Sequence, residues 1–528
     1  MAQESSLLWL VAGASLVGVV ARVAIPPATW LALTFVLHAS RSMPALPGLT
    51  YVWLALYVAL AIGDRGGLPA SGPAYFALVA FLATGVTLPF ILDRVVASRL
   101  GVFGSTLIFP MAWVATEFLR SRLAPPATWY SIAYTQYGYL PLMQVAAFIG
   151  IWGITFLIAW FASTFDWAWS RGFEWNIVRT PVLTYAAVLG AIVMGGSLRL
   201  ALAPTDRASI RTATLNRPVD LFIPGEITRI AEGSVSSGER QRVTEKLTRL
   251  HDWFLEGSRR EARAGARLVV WPETSLLIFK EDEPAFLERA QRLAAGERVY
   301  LAMGMGTVQL GATLPLENKL VLIDPSGRIL VSYLKSHAVT GWEAGIMRVG
   351  DGRVPVVATS DGRIATVICF DADFPEFIRQ AAQGAADLLI VPVNDWKEVK
   401  NIHFQMAAFR AIENGIPLVR AAASGLSSAF DPWGRVLGVA DFFAEGDRTM
   451  TVQVPVGIVP TLYARTGDLF AWLSVAALLL TLGIAAVAPR TLSARETARP
   501  DDFPKTVVLD DAPRAGGRHG EQPELLRR

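Results

Sequence analysis

Ile364-Ala365-Thr366-Val367-Ile368-Cys369-Phe370-Asp371-Ala372-Asp373-Phe374-Pro375-Glu376 is the stretch from which the fold can be read. The apolar, β-branched run before the cysteine reads as a buried strand. Pro375 suits the first turn of a helix, and Asp373 is a candidate cap for it. A strand that turns sharply into a helix exposes the side chain at the turn and aims backbone N–H groups at it. A helix N-terminus and a neighbouring cation both lower a thiol pKa, so this arrangement predicts a reactive Cys369. A lone cysteine is more commonly an inert buried side chain, and the choice between the two readings rests on its companions.

Two companions lie upstream. The strand Ala266–Trp271 runs into Pro272-Glu273-Thr274-Ser275. A carboxylate at the C-terminal end of a buried strand points into the crevice where open α/β sheets bind ligands. Partial burial there raises its pKa and suits it to general-base work. Alone, Glu273 reads more readily as a carboxylate at a helix N-terminus. The second companion is Lys335 in Tyr333-Leu334-Lys335-Ser336-His337, after a hairpin whose turn is Asp324-Pro325-Ser326-Gly327. Alone, a lysine after such a strand is a solvated edge residue.

Around these three, residues 205–460 alternate short apolar runs with polar helical stretches. Ile210–Asn216, Leu268–Pro272, Val299–Met305, Leu320–Ile323, Ile364–Cys369 and Leu388–Val393 read as buried strands, and Arg240–Ala264 and Phe404–Asn414 as helices. Strands mixed with helices over this length predict one layered α/β or α+β domain.

Residues 1–204 are of another kind. The chain has 528 residues, of which 52% are apolar and 18% charged, with mean hydropathy +0.39. Soluble chains carry about 25% charge, and about 20 apolar residues span a bilayer as a helix. Candidate spans are Leu7–Val20, Trp30–Leu37, Tyr51–Gly63, Tyr75–Leu92, Val102–Leu119, Val145–Phe165 and Val182–Leu202, the second and third short. Leu469–Ala488 is an eighth, and 489–528 reads as a disordered tail. Met1-Ala2-Gln3-Glu4 has no basic n-region, which argues against a cleaved signal peptide. Seven spans before the domain and one after put both termini on one side and the domain on the other. Arg94, Arg99, Arg171, Arg179, Arg490, Arg495 and Arg499 fall on the side of the termini, against Arg22, Arg65, Arg120 and Arg122 opposite, so the termini are expected in the cytoplasm. Glu4 before the first span and Arg22 after it pull the other way.

Net charge is +3, from 48 Lys+Arg against 45 Asp+Glu, with no basic stripe that would fit nucleic acid. With one cysteine, no intramolecular disulfide forms. His38, His251, His337, His403 and His519 show no metal-ligand spacing. Neither a metal nor another cofactor is expected.

Taken together, Trp271-Pro272-Glu273, the strand ending at Lys335 and the strand ending at Cys369 resemble the Glu-Lys-Cys triad of the nitrilase superfamily. The resemblance implies an α-β-β-α sandwich, with Cys369 as nucleophile, Glu273 as general base, and Lys335 stabilising the oxyanion with the Phe370 backbone N–H. Glu343, in Gly341-Trp342-Glu343, matches a second glutamate of that superfamily. A nitrilase-type domain between seven helices and one is similar to the apolipoprotein N-acyltransferase family of bacterial inner membranes. Asn394-Asp395-Trp396 with His403-Phe404-Gln405-Met406-Ala407 and Arg410-Ala411-Ile412-Glu413 matches that family's segment, as do Tyr463-Ala464-Arg465-Thr466-Gly467-Asp468, Trp113–Arg120 and Tyr134–Leu157. Lys335–Glu343 keeps only the ends of the family's usual pattern, and Cys369-Phe370-Asp371 replaces its C-Y-E.

This resemblance implies a multi-pass inner-membrane enzyme with a periplasmic catalytic domain. A membrane phospholipid would be the acyl donor and a diacylglyceryl-modified lipoprotein the acceptor. A membrane-anchored carbon-nitrogen hydrolase (amidase) would use the same triad with water in place of the amine, and a non-catalytic scaffold would not need it. An apolar path from Cys369 toward the bilayer separates the first two. A transferase must also limit water, for which Trp342 and Met347, beside Val339 and Ile346, and the pair Phe442-Phe443 are candidate lid residues.

Overall fold

The computed structural model describes residues 2–97, 102–124, 127–216, 237–341, 343–446 and 448–487. The expected tail at 489–528 lies outside them, as does Trp342. The N-terminal region contains α1 (Ala2–Val20), α2 (Pro26–Ser42), α3 (Ala45–Gly63), α4 (Gly72–Val96) and α5 (Val102–Leu123). The short α6 (Leu140–Met143) and α7 (Ala146–Ile149) precede α8 (Ile151–Trp169) and α9 (Trp175–Ala201). Among the described residues five helices are long and apolar enough to cross a membrane: Ala45–Gly63, Gly72–Val96, Ile151–Trp169, Trp175–Ala201 and Leu469–Ala486. That is fewer than the eight spans expected. α2 carries His38 and Arg41, and α5 carries Glu117, Arg120 and Arg122, which dilute their apolar content. Both nevertheless pack in the same bundle, α2 on α1 and α8, and α5 on α4 and α8.

The expected single span Val145–Phe165 is broken at Gly150, where φ is +70°. A Cβ there would lie 2.7 Å from Cε2 of Tyr463, so only glycine admits that ring. The next helix, α8, begins at Ile151, whose N–H donates to Glu413 Oε1 at 3.2 Å. A carboxylate from the C-terminal half thus sits at the positive end of a bundle helix. At the other end of α8, Asp166 accepts from Arg41 Nη1 at 2.8 Å, and Arg41 also grips Asp93 through Nη2 and Nε at 2.7 and 2.9 Å. Charges inside a helical bundle are tolerated when paired in this way.

The sandwich begins at β1 (Ser209–Thr214) and continues through α10 (Ser237–Arg263), β2 (Leu268–Val270), β3 (Leu276–Phe279), α11 (Glu283–Glu297), β4 (Tyr300–Val308), β5 (Leu316–Ile323) and β6 (Ile329–Leu334). Then come β7 (Val356–Thr359), β8 (Gly362–Thr366), α12 (Pro375–Gln383), β9 (Leu388–Asn394), α13 (Lys400–Asn414), β10 (Leu418–Ala423), β11 (Leu426–Phe430), β12 (Val436–Asp441) and β13 (Met450–Pro455). The short α14 (Leu462–Thr466) leads into α15 (Leu469–Val487).

One sheet has the order β13-β1-β2-β4-β5-β6, with β3 also on β4; the other runs β12-β11-β10-β9-β8-β7. The period-two alternation of strands divides their side chains between two cores. Leu268, Val270, Tyr300, Ala302, Leu320 and Leu322 meet Ile364, Leu389 and Val419 between the sheets. Val269, Trp271, Leu301 and Val321 face Leu250, Phe254 and Phe286 of α10 and α11. With α13 covering β10 and β11, the layers are α-β-β-α, as the resemblance implied.

The sandwich is tied to one end of the bundle. Trp396 Nε1 donates to the Gly66 carbonyl at 2.7 Å, Arg435 Nη2 to Leu200 O at 2.7 Å, and Gln144 Nε2 to Trp433 O at 3.0 Å. Trp152 Nε1 and Tyr463 Oη both donate to Asp468 Oδ1, at 2.8 and 2.9 Å.

Candidate active site

Strand ends bring the three sequence-marked residues together. Glu273 follows β2 by way of Trp271 and Pro272, and its backbone lies against β4 at Gly304. A Cβ on Gly304 would fall 2.1 Å from the Pro272 carbonyl oxygen and 2.8 Å from the Glu273 Cα, so that approach requires glycine. Lys335 follows β6, and its N–H donates to the Asn318 carbonyl at 2.9 Å. Cys369 stands just past β8, at the start of a 3-10 turn over Cys369–Asp373.

Glu273 and Lys335 are 3% and 1% exposed, so each charge needs partners. Lys335 Nζ donates to Glu273 Oε1 at 2.8 Å and to Glu343 Oε1 and Oε2 at 2.9 and 2.8 Å. Asn318 Nδ2 bridges the same two carboxylates, at 2.7 Å from Glu273 Oε1 and 3.1 Å from Glu343 Oε1. The Asn394 backbone N–H donates to Glu273 Oε2 at 2.7 Å, and the Val339 N–H to Glu343 Oε2 at 2.9 Å. Burial raises the Glu273 pKa, Lys335 holds it down, and Glu343 adds to the rise. Burial alone would depress the Lys335 ammonium, but Glu273, Cys369 and Glu343 outweigh it and keep the lysine charged.

Cys369 departs from the expectation of a depressed thiol pKa. Burial pushes it well above the ordinary value and the Glu273 charge adds to this, while Lys335 and the Asn394 N–H pull down and lose. The dominant influences thus favour the thiol over the thiolate, which calls for a neighbouring base to take its proton. Its backbone is in the left-handed region, φ +47°. For a residue with a Cβ this conformation costs about 1–3 kcal/mol. Phe370 is buried beside it, in the first turn of the 3-10 segment.

Asp371 fastens the cysteine turn to the lysine strand. It accepts from Tyr333 Oη at 2.7 Å, from the backbone N–H of Ser336 and His337 at 3.1 and 2.9 Å, and from the Ile368 N–H at 3.2 Å. Asp373, read as a helix cap, does something else: the helix cap is Phe374. The Asp373 carboxylate accepts from Trp129 Nε1, and its carbonyl accepts from Thr128 Oγ1 at 2.7 Å. Trp129 stands in the segment between α5 and α6. Its ring meets Phe370 edge-on at 6.1 Å and His403 at 4.8 Å. His403 Nδ1 pairs with Asp395 Oδ1 at 2.7 Å, and Arg420 Nη2 donates to Asp395 Oδ2 at 2.5 Å.

Trp129 also lines a cavity among α1–α5, about 150 Å³ in volume. Val17, Leu33, Leu56, Leu82 and Phe90 are among its apolar walls, and Ile402 and Gln405 of α13 reach its end nearest the sandwich. Trp129 thus touches both a cavity among apolar helices and the residue next to Cys369, while Cys369 itself lines a separate, smaller cavity with Asp373, His403 and Met406.

Of the expected lid residues, Met347 is buried and sewn to the sheet edge. The Leu316 N–H donates to Ile346 O at 3.0 Å and the Arg348 N–H to Leu316 O at 2.9 Å. These ladder bonds hold the backbone on either side of Met347 against β5. Trp342 falls outside the described residues. Phe442 is buried and Phe443 exposed, with the Lys400 ammonium 5.2 Å from the Phe443 ring centre. Asn318 and Trp129 went unmarked in the sequence. The available signal for Asn318 was a polar trio, Glu317-Asn318-Lys319, heading a strand whose remainder is apolar, since a buried polar group is the informative kind.

Two family models match the chain. Residues 12–164 match the apolipoprotein N-acyltransferase N-terminal domain, and residues 235–460 match carbon-nitrogen hydrolase. An apolipoprotein N-acyltransferase of Geobacter metallireducens is 30% identical over 395 residues, covering 70% of this chain and 72% of that one. One from Rhodopseudomonas palustris is 28% identical over 449 residues, 77% of each. Among solved structures, an amidase from Nesterenkonia sp. is similar at 21% identity and a TM-score of 0.37, over 48% of this chain and 93% of that one.

Proposed function

The chain belongs to the apolipoprotein N-acyltransferase family, and from that premise we propose that it moves a fatty acyl group from a membrane phospholipid to the α-amine of a diacylglyceryl-cysteine at a lipoprotein N-terminus, by way of a thioester on Cys369. The observation that carries this reading is the cavity among α1–α5, whose lining includes Trp129, the ring that packs on Phe370 next to Cys369. A hydrolase of small amides has no use for such a space; an enzyme whose donor resides in the bilayer does.

In the first half-reaction Glu273 takes the Cys369 proton as the sulfur attacks the ester carbonyl. Lys335 Nζ and the Phe370 N–H face the developing oxyanion. Collapse breaks the ester C–O bond, and the departing lysophospholipid alkoxide takes the proton from Glu273. In the second, the neutral amine attacks the thioester and yields a proton to Glu273. The C–S bond then breaks, and the thiolate recovers that proton. Splitting the transfer this way replaces one hard step with two easier ones. Trp129, packed between the cavity and the thiol's neighbour, keeps water from the thioester.

The measurement that tests this is the mass and lifetime of the protein's acyl adduct in phospholipid vesicles. A stable adduct on Cys369 is expected, discharged quickly only when a diacylglyceryl-cysteine peptide is added. Decay within seconds in buffer alone, with no effect of the peptide, would assign the site to hydrolysis.

We further infer a multi-pass inner-membrane protein with its termini in the cytoplasm and its sandwich in the periplasm. Arg94, Arg171 and Arg179 lie at the ends of α4, α8 and α9 remote from the sandwich, which supports this orientation. A reporter that works only in the cytoplasm should be active after Arg528 and silent when inserted near Ser236. The reverse pattern would invert the topology.

A further inference from the structure

The cavity among α1–α5 has a floor. The lining goes no deeper than Val17 on α1, Val36 on α2, Leu56 on α3, Phe90 on α4 and Trp113 on α5. The end nearest the sandwich carries Asp64, Glu117, Arg120 and Glu398 instead. Along α3 the lining runs from Asp64 down to Leu56, along α4 from Leu82 to Phe90, and along α5 from Arg120 to Trp113. At ~1.5 Å per residue this is about 12 Å of depth, less than the ~15 Å of one leaflet of hydrocarbon core.

The floor is a packed aromatic cluster. Phe90 and Trp113 meet edge to face at 5.8 Å, and Phe109 contacts both, at 5.1 and 5.5 Å. Phe109 is fully buried and does not reach the cavity. A ring backed by another ring does not yield to an extra methylene without repacking its neighbours.

We propose that Phe90 and Trp113 are the stop that measures the acyl chain carried on Cys369, so that the enzyme selects its donor by chain length. The inference rests on the acyl-transfer reading and assigns its specificity. With the carbonyl carbon on the sulfur, the tail parts the Trp129–Phe370 contact and crosses the polar rim, and its end reaches the floor. A chain that falls short leaves apolar wall without contact, and one that is too long meets the rings. Each methylene that gains or loses burial changes the preference by about fourfold.

The test uses the full-length protein in vesicles of phospholipids that share one headgroup and carry a graded series of saturated chains in equal amounts. A diacylglyceryl-cysteine peptide is the acceptor, and mass spectrometry reads which chain it receives. Phe90→Ala opens the floor and should move the distribution to longer chains, with roughly fifteenfold enrichment of a chain two methylenes longer. Leu56→Phe fills the same end and should move it to shorter ones; it decides alone if Phe90→Ala does not insert. Active variants with the wild-type distribution overturn the stop. A wild-type protein that transfers no chain at all overturns the acyl-transfer reading on which the stop depends.

Discussion

Cys369→Ala inserts and folds but transfers no acyl group, with turnover reduced on the order of 10⁴-fold or more, as removal of a covalent nucleophile does. The sulfur is the atom to which the acyl group is bound in the proposed reaction, and the molecule has no other thiol. The backbone supplies a second readout. Cys369 holds φ +47°, a conformation in which any side chain with a Cβ is strained by about 1–2 kcal/mol relative to glycine. Cys369→Gly should therefore be as inactive as the alanine variant yet unfold at a higher temperature than it does. A site tuned only for stability would not keep a strained cysteine; one that needs its sulfur at the turn would. Acyl transfer at the wild-type rate by Cys369→Ala, measured with phospholipid and lipopeptide in detergent, would end the nucleophile assignment.

Much of this site could be read from the chain because its residues sit at strand ends. β2, β9 and the part of β8 from Ile364 onward are buried on both faces, so they read as short apolar runs, and whatever follows such a run lands at the rim of the sheet. That placed Glu273 and Cys369 without any knowledge of their contacts. What could not be read depends on partners remote in sequence. The apolar pattern of α2 fades at His38 and Arg41, because Asp166 and Asp93 supply the compensation. The break at Gly150 is dictated by Tyr463. Asp373 looks like a helix cap until Trp129 arrives from the membrane half to claim it. The thiol pKa depends on the assembled fold in the same way: a cation and a helix start are visible in sequence, whereas the burial that pushes the pKa up is not.

Lys335→Met separates the roles of the lysine. Methionine nearly matches its length and buries well but brings no charge, leaving Glu273 and Glu343 facing each other through Asn318 with no cation between them. Two carboxylates so placed cannot both stay ionised in a buried site, and one takes a proton. Burial already raises the Glu273 pKa and Lys335 opposes that rise, so its loss raises the Glu273 pKa further. A general base must be ionised to accept the thiol proton. The acid limb of kcat/KM therefore moves to higher pH in the variant. Turnover falls as well, by on the order of 10²–10³-fold for the lost oxyanion donor. Lys335→Arg retains the charge that holds Glu273 ionised but replaces a compact ammonium with a planar fork. It should leave the acid limb near the wild-type position while turnover drops. Measured pH profiles of the three proteins decide the matter. An acid limb that stays put in Lys335→Met, with turnover near wild type, would mean that Lys335 only fills a buried space beside Glu273 and takes no part in the chemistry.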